Sequence, residues 1–273
     1  VLLTISSDAT TASWAGLVSD AYGRLGRVSS LVRIVAGPPE RAADGGGSWT
    51  PADRMAAEPD RVAALVDGEA RHIHAAYGAE PRRDVAATWA LERYLFTAAL
   101  AFSAPWFLER RVPAVPLDRI GYAWQERSLA VAPVGVACLP GDPAAALPGA
   151  RTAPDEEALR AELRDTVARH AAPVLEAFGP LVRRRSRALW ALATDQLASG
   201  IMYMGRSLGE ASIAASAANA LLPGSTAPYQ GAADLRPSPD PEIGYTRTRT
   251  GCCLYYTLPP GSVCSTCPRA ARR

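Results

Sequence analysis

The sequence predicts an α+β chain, predominantly α-helical: a helical body carrying a small antiparallel sheet, followed by a C-terminal cysteine segment. Three observations lead there. Most of the chain repeats apolar residues at helical spacing. One middle stretch, 120–136, reads instead as short strands broken by turn residues. Four of the five cysteines lie within 16 positions, from Cys252 to Cys267. The expected division is a body over 1–240 and a cysteine segment over 241–273.

Residues 11–35 read as a helix with breaks, carrying Trp14, Leu17, Val18, Ala21 and Leu25 on one face, with Asp8 or Thr11 as caps and Gly37-Pro38-Pro39 as its end. Ala43 to Thr50, with three consecutive glycines, reads as a loop. A helix follows from Pro59 to Tyr77, stopped by Gly78, with Val62, Val66, Ile73 and Tyr77 as its stripe. Its His72 and His74 are two residues apart, so they point apart and read as exposed histidines, not a metal clamp. Pro81 is expected to open a longer core helix that ends or bends near Pro105. Trp106 and Phe107 beside it read as core.

Ile120–Trp124 and Leu129–Val136 are the strand candidates, joined by a turn at Gln125-Glu126. Cys138 closes them and reads as a small buried apolar residue. After a proline-rich loop, Asp155–Phe178 places Leu159, Leu163, Val167, His170, Val174 and Phe178 on one helical stripe. His170 is therefore expected inside. Pro180 is expected to open the next helix, reaching Gly205, with the Arg183-Arg184-Arg185 and Arg187 cluster as a solvated face or an anion contact. Its Ala198-Ser199-Gly200 patch would admit another backbone. A short helix over Leu208–Leu222 precedes a linker, Pro223–Pro241, long enough to wrap the body.

The 29 basic residues are all arginine, and the net charge of +2 argues against broad nucleic-acid binding. The Val1–Ile5 run is too short for a signal-peptide core, and Leu95–Leu108 is broken and short of a bilayer span. The expectation is a chain without transmembrane segments, in the cytoplasm, where thiols stay reduced.

Four clustered cysteines, arranged Cys252-Cys253, ten residues, then Cys264-x-x-Cys267, suit two disulfides, one zinc ion or an iron–sulfur cluster. The Cys264-x-x-Cys267 turn serves either metal. Neighbouring residues in extended backbone point to opposite sides, so Cys252 and Cys253 reach one tetrahedral ion only through an unusual turn. A two-iron cluster, with wider vertices, relaxes that demand.

The stretch Thr250-Gly-Cys-Cys-Leu-Tyr-Tyr-Thr-Leu-Pro-Pro-Gly-Ser-Val-Cys-Ser-Thr-Cys-Pro268 resembles the C-terminal motif of the FhuF-like ferric-siderophore reductases. The resemblance covers about the last 30 residues and includes arginines just upstream, Arg247 and Arg249. It implies a [2Fe–2S] cluster held by Cys252, Cys253, Cys264 and Cys267, and an oxidoreductase that reduces Fe(III)-siderophore complexes by one electron, releasing Fe(II). Arg247 and Arg249 are candidates to stabilise the reduced cluster or touch substrate, with solvated edge residues as the plain alternative. Tyr255, Tyr256 and a body tryptophan are candidates to line a substrate groove.

No glycine-rich dinucleotide fingerprint follows a strand, and no flavin signature is present, so electrons are expected from a separate donor such as a ferredoxin or a reductase. Two other readings stand beside this one: an iron–sulfur carrier for another enzyme, and a structural zinc module.

Overall fold

The computed structural model of the chain describes residues 7–39, 49–224 and 226–270, with side chains from Trp14 onward. The Val1–Ile5 run, the triglycine loop at Gly45 and the capping side chains of Asp8 and Thr11 lie outside that description.

Helices dominate. They are α1 (Ser7–Val28), α2 (Ala52–Ala57), α3 (Pro59–Tyr77), α4 (Arg83–Glu109), α5 (Glu156–Val182), α6 (Ser186–Ser207) and α7 (Ala211–Leu221). The chain divides into two compact units. One holds residues 1–54 and 97–170, the other residues 55–96 and 171–273, and the dividing points fall inside α4 and α5.

The first unit contains two small sheets. In one, β4 (Ile120–Ala123) and β5 (Ser128–Val131) pair antiparallel across the expected turn, with Ile120 opposite Val131. The sequence reading missed two further strands there. β1 (Arg33–Ala36) runs parallel to β5, and β2 (Thr50–Pro51) pairs with β4. Residues 33–35 were expected to be helical. Ile34 and Val35 favour an extended backbone, and their partner lies nearly a hundred residues away, so only the fold reveals the pairing.

The run Leu129–Val136 does not stay in one sheet. Beyond Pro133 the chain enters a second, ordered β3 (Arg111–Ala114), β6 (Gly135–Cys138), β7 (Arg151–Thr152). Both sheets mix parallel and antiparallel pairs, so the single antiparallel sheet is corrected to two mixed ones. Pro113 is tolerated because β3 is an edge strand. Cys138 is fully buried in β6, as expected.

Helix α3 matches its expected bounds. Val62, Val66 and Ile73 are buried while His72 and His74 are exposed. Gly78 ends it at φ 67, donating its N–H to the His74 carbonyl.

The prolines behaved differently from expectation. Helix α4 runs through Pro105 to Glu109. A proline there leaves the carbonyl four residues back, Ala101, without its helical donor. The Tyr22 hydroxyl on α1 donates to that carbonyl at 2.7 Å, and the helix continues. Helix α5 likewise runs through Pro173 and Pro180, ending where Arg183 takes φ 58 and donates its N–H to Gly179. The next helix therefore starts at Ser186, not Pro180. All six residues of the α5 stripe are buried, His170 among them, with its ring 5.1 Å from Phe102.

In the second unit, α6 and α7 pack closely at Gly205, where an added Cβ would stand 2.1 Å from that of Ala214. This close approach lies beyond the Ala198-Ser199-Gly200 patch singled out in the sequence. The stretch after α7 lies against that helix pair. Asn219 on α7 exchanges two hydrogen bonds with the backbone of Leu235, and Tyr229 is buried with its ring edge-on to Trp190. A two-stranded ribbon, β8 (Arg236–Pro237) with β9 (Tyr245–Thr246), then delivers the chain to the cysteines.

Candidate metal centre

The cysteine segment is anchored by a carboxylate. Asp195 on α6 is completely buried. Its Oδ1 accepts Arg247 Nη1 at 3.0 Å and the Thr250 backbone N–H at 3.0 Å. Its Oδ2 accepts the Gly251 N–H at 2.6 Å and Arg249 Nε at 3.4 Å. Its backbone carbonyl accepts Arg247 Nη2 at 2.7 Å, and Ser199 takes a further bond from the same nitrogen. One side chain thus fixes the backbone immediately before Cys252.

Arg247 and Arg249 are buried rather than solvated, which corrects the plain alternative of edge residues in water. Burial lowers the pKa of Arg247, against the opposing pull of Asp195. Burial opposes the charge on Arg249 too, but Glu92, which it contacts directly, together with Asp195 and Cys253 outweighs it and raises the pKa. Both guanidiniums stay charged, since arginine does not deprotonate in proteins.

Gly251 is required by contact. A Cβ there would stand 2.7 Å from Leu192 Cδ2 and 3.1 Å from Asp195 Oδ2. The two carbonyls that follow are each held from the body: Arg184 donates to Cys252 O at 2.7 Å, and Trp89 Nε1 donates to Cys253 O at 2.9 Å. Arg184 is the member of the arginine cluster that turns inward; Arg183, Arg185 and Arg187 are exposed.

Directly after the cysteine pair, Leu254 adopts φ 62, a conformation costing a non-glycine residue about 1–2 kcal/mol. This reversal turns the chain immediately after the cysteine pair. It opens a short helical turn, Tyr255–Thr257, and aims the Tyr255 N–H at the Cys253 sulfur. The second pair forms the expected tight turn, with the Cys267 N–H donating to the Cys264 carbonyl at 3.1 Å. The Arg249 N–H donates to Thr266 O at 2.9 Å, tying this turn to the anchored strand.

Cys253 Sγ and Cys264 Sγ stand 3.6 Å apart. A disulfide needs about 2.05 Å. Two thiolates on one tetrahedral metal, each about 2.3 Å from it, stand about 3.8 Å apart. All four thiols are free, with Cys253 and Cys267 buried and Cys252 and Cys264 half-buried. Among the described residues no three His, Cys, Asp or Glu side chains converge as they would around a single ion. The donor set fits an iron–sulfur cluster: four unpaired thiols, one pair already at ligating separation. Burial, then the Glu92 charge, push the Cys253 thiol up to about 12, so metal binding must displace its proton.

Tyr255 stacks on Trp89, with centroids 6.2 Å apart, and Tyr77 meets both edge-on. The Arg269 guanidinium lies 4.1 Å over the Tyr256 ring. His170 and Cys138 belong to the other unit.

The sequence reading did not place Asp195, Glu92 or Arg184 at the cysteine segment, and named its tryptophan only as one of those in the body. Asp195 left a signal: it is a charge on the buried side of α6, between Leu192 and Ser199, which only a buried cation or backbone donor can satisfy. The others left none, because their partners lie 65 or more residues away.

Residues 249–269 match the FhuF 2Fe-2S C-terminal domain family. Comparison with curated proteins gives no match. Among the described residues, no helix is long and apolar enough to cross a membrane.

Proposed function

We propose that this chain, whose residues 249–269 match the FhuF 2Fe-2S C-terminal domain family, is a ferric-siderophore reductase. Cys252, Cys253, Cys264 and Cys267 hold the cluster, with Cys253 and Cys264 sharing one iron. The observation that carries this reading is the coincidence of the matched segment with four free thiols, two of them at ligating separation. A cluster held there would supply one electron to reduce the Fe(III) of the chelate to Fe(II), with a separate one-electron donor protein as the source of that electron. Fe(II) has the lower charge density and binds hard oxygen donors more weakly, so the metal leaves an intact chelator.

The protein's own work is positioning and electrostatics. Asp195 holds the backbone before the cysteine pair at a fixed register. Trp89 and Arg184 hold the carbonyls of the pair. Arg249 places a buried positive charge within Coulombic reach of Cys253, and the Tyr255 N–H points at the same sulfur. Both stabilise added negative charge on the thiolate side, which raises the reduction potential. Glu92 and Asp195 oppose this and keep the potential from rising further.

The test is anaerobic. Purified protein is expected to be red-brown with visible charge-transfer absorption. Reduction is expected to bleach that absorption, and mixing with a ferric siderophore is expected to restore it while an Fe(II) trap fills, one iron per cluster. A colourless protein with stoichiometric zinc, or a reduced cluster indifferent to the chelate, overturns the reading.

A further inference from the structure

A cleft of about 350 Å³ opens beside the Cys264-x-x-Cys267 turn, within the second unit. We propose that this cleft seats the ferric chelate; the proposal rests on the reductase reading above. One wall is Ser265 and Thr266, the two residues between the paired cysteines. Each is bonded in sequence to a cysteine of the pair, and consecutive Cα atoms are about 3.8 Å apart, so an occupant of the cleft lies next to the cluster-bearing backbone. The Arg249 N–H on Thr266 O holds that wall in place.

The rest of the lining has a mixed character. Met202 and Ile243 offer apolar surface, while Tyr203 and Tyr245 bring phenols. A ferric siderophore has the same division: a shell of metal-bound oxygens that accept hydrogen bonds, joined by an organic frame. Arg206, which also lines the cleft, is held by its contacts with the carbonyls of Ile243 and Tyr245. Its position therefore depends on backbone and not on the side chains of those two residues. Arg247 lines the cleft as well, but Asp195 balances its charge.

The aromatic side of the segment is occupied by contacts within the chain. Tyr255 is covered by Trp89 and Tyr77, and Tyr256 by Arg269. Those rings pack against their own chain, while the cleft offers a second molecule space beside the cysteine turn.

Two cleft variants of the cluster-loaded full chain test the assignment. Ile243→Trp fills the mouth, since Ile243 is 48% exposed. Tyr245→Ala removes one wall. Each is measured for reduction of a ferric trihydroxamate and of a ferric triscatecholate, for binding of the redox-inert gallium(III) forms of both, and for cluster absorption and midpoint potential. Expected is about a tenfold or greater rise in KM, and in the Kd of the gallium form, with absorption and potential unchanged. A wild-type protein that reduces a chelate, with both variants matching it in KM and Kd, overturns the cleft and leaves the reductase reading standing. So does a KM that rises only in Tyr256→Ala, which places the chelate on the aromatic side. A loaded wild-type protein that neither binds nor reduces either chelate overturns both.

Discussion

The carboxylate of Asp195 accepts the backbone N–H of Gly251 at 2.6 Å, one residue before the adjacent cysteines. A helix in the body thereby sets the position of a segment that otherwise contains little regular structure. Four further hydrogen bonds from residues 247–250 reach the same residue. Replacing Asp195 with Asn strands a buried arginine, and breaking such a pair costs about 3–5 kcal/mol. The expected outcome is a lowered urea midpoint together with poor cluster retention. The double variant Asp195→Leu/Arg247→Met removes the unpaired charge but leaves the Thr250 and Gly251 N–H groups without their acceptor. It is expected to recover part of the stability and little of the cluster; full recovery of both would show that Asp195 serves only its arginine.

Gly251→Ala tests the same contact from the other side. The new Cβ meets Leu192 and the Asp195 carboxylate within 3.1 Å. Overpacking of this kind costs about 1–3 kcal/mol. Iron per chain, measured against unfolding midpoint, is expected to fall with stability.

The 3.6 Å separation of Cys253 and Cys264 sets an expectation for the cluster. A Cys→Ser change keeps a ligand atom while altering its iron. In iron Mössbauer spectra, Cys253→Ser and Cys264→Ser are expected to perturb one iron, Cys252→Ser and Cys267→Ser the other. Cys138→Ala, in the β6 core, is expected to leave the spectrum unchanged. A pattern that groups Cys252 with Cys253 would refute the pairing.

Trp89→Phe keeps an aromatic ring against Tyr255 and removes the N–H donated to Cys253 O. The loss of one such bond is about 1 kcal/mol. A modest fall in thermal midpoint is expected, with iron content near that of the wild type. Loss of the cluster would mean that the indole holds the turn more firmly than a single hydrogen bond explains.

His170 predicts an acid limit. Burial lowers its pKa to about 4 in the folded chain, against about 6.5 unfolded. The unfolded state therefore takes up the proton first as pH falls. The stability that the neutral ring contributes is complete above about pH 6.5 and is lost as pH falls toward the folded pKa, a total of about 3 kcal/mol. Urea midpoints of wild type and His170→Leu, compared at both ends of that window, are expected to show the wild type losing stability relative to the variant as pH falls; parallel profiles would reject the assignment.

Much of this molecule was legible in its sequence because the signals are local. The α3 stripe and its Gly78 stop, the inward His170, the β4–β5 turn and the tight Cys264-x-x-Cys267 turn each depend on residues a few positions apart. Local rules failed at the prolines of α4 and α5. A proline removes one hydrogen bond, and whether the helix survives depends on what else is present; at Pro105 it is a tyrosine from another helix.

By itself the sequence determined the chemistry of the site: four thiols at a rare spacing, in a segment with few other metal ligands. Only the tertiary structure decided how that segment is held and what it faces. Asp195, Glu92, Arg184 and Trp89 lie 57 or more residues before the first cysteine of the group. A buried carboxylate acquires its meaning from the cation and backbone donors the fold brings to it, and those partners cannot be read from its neighbours in the chain.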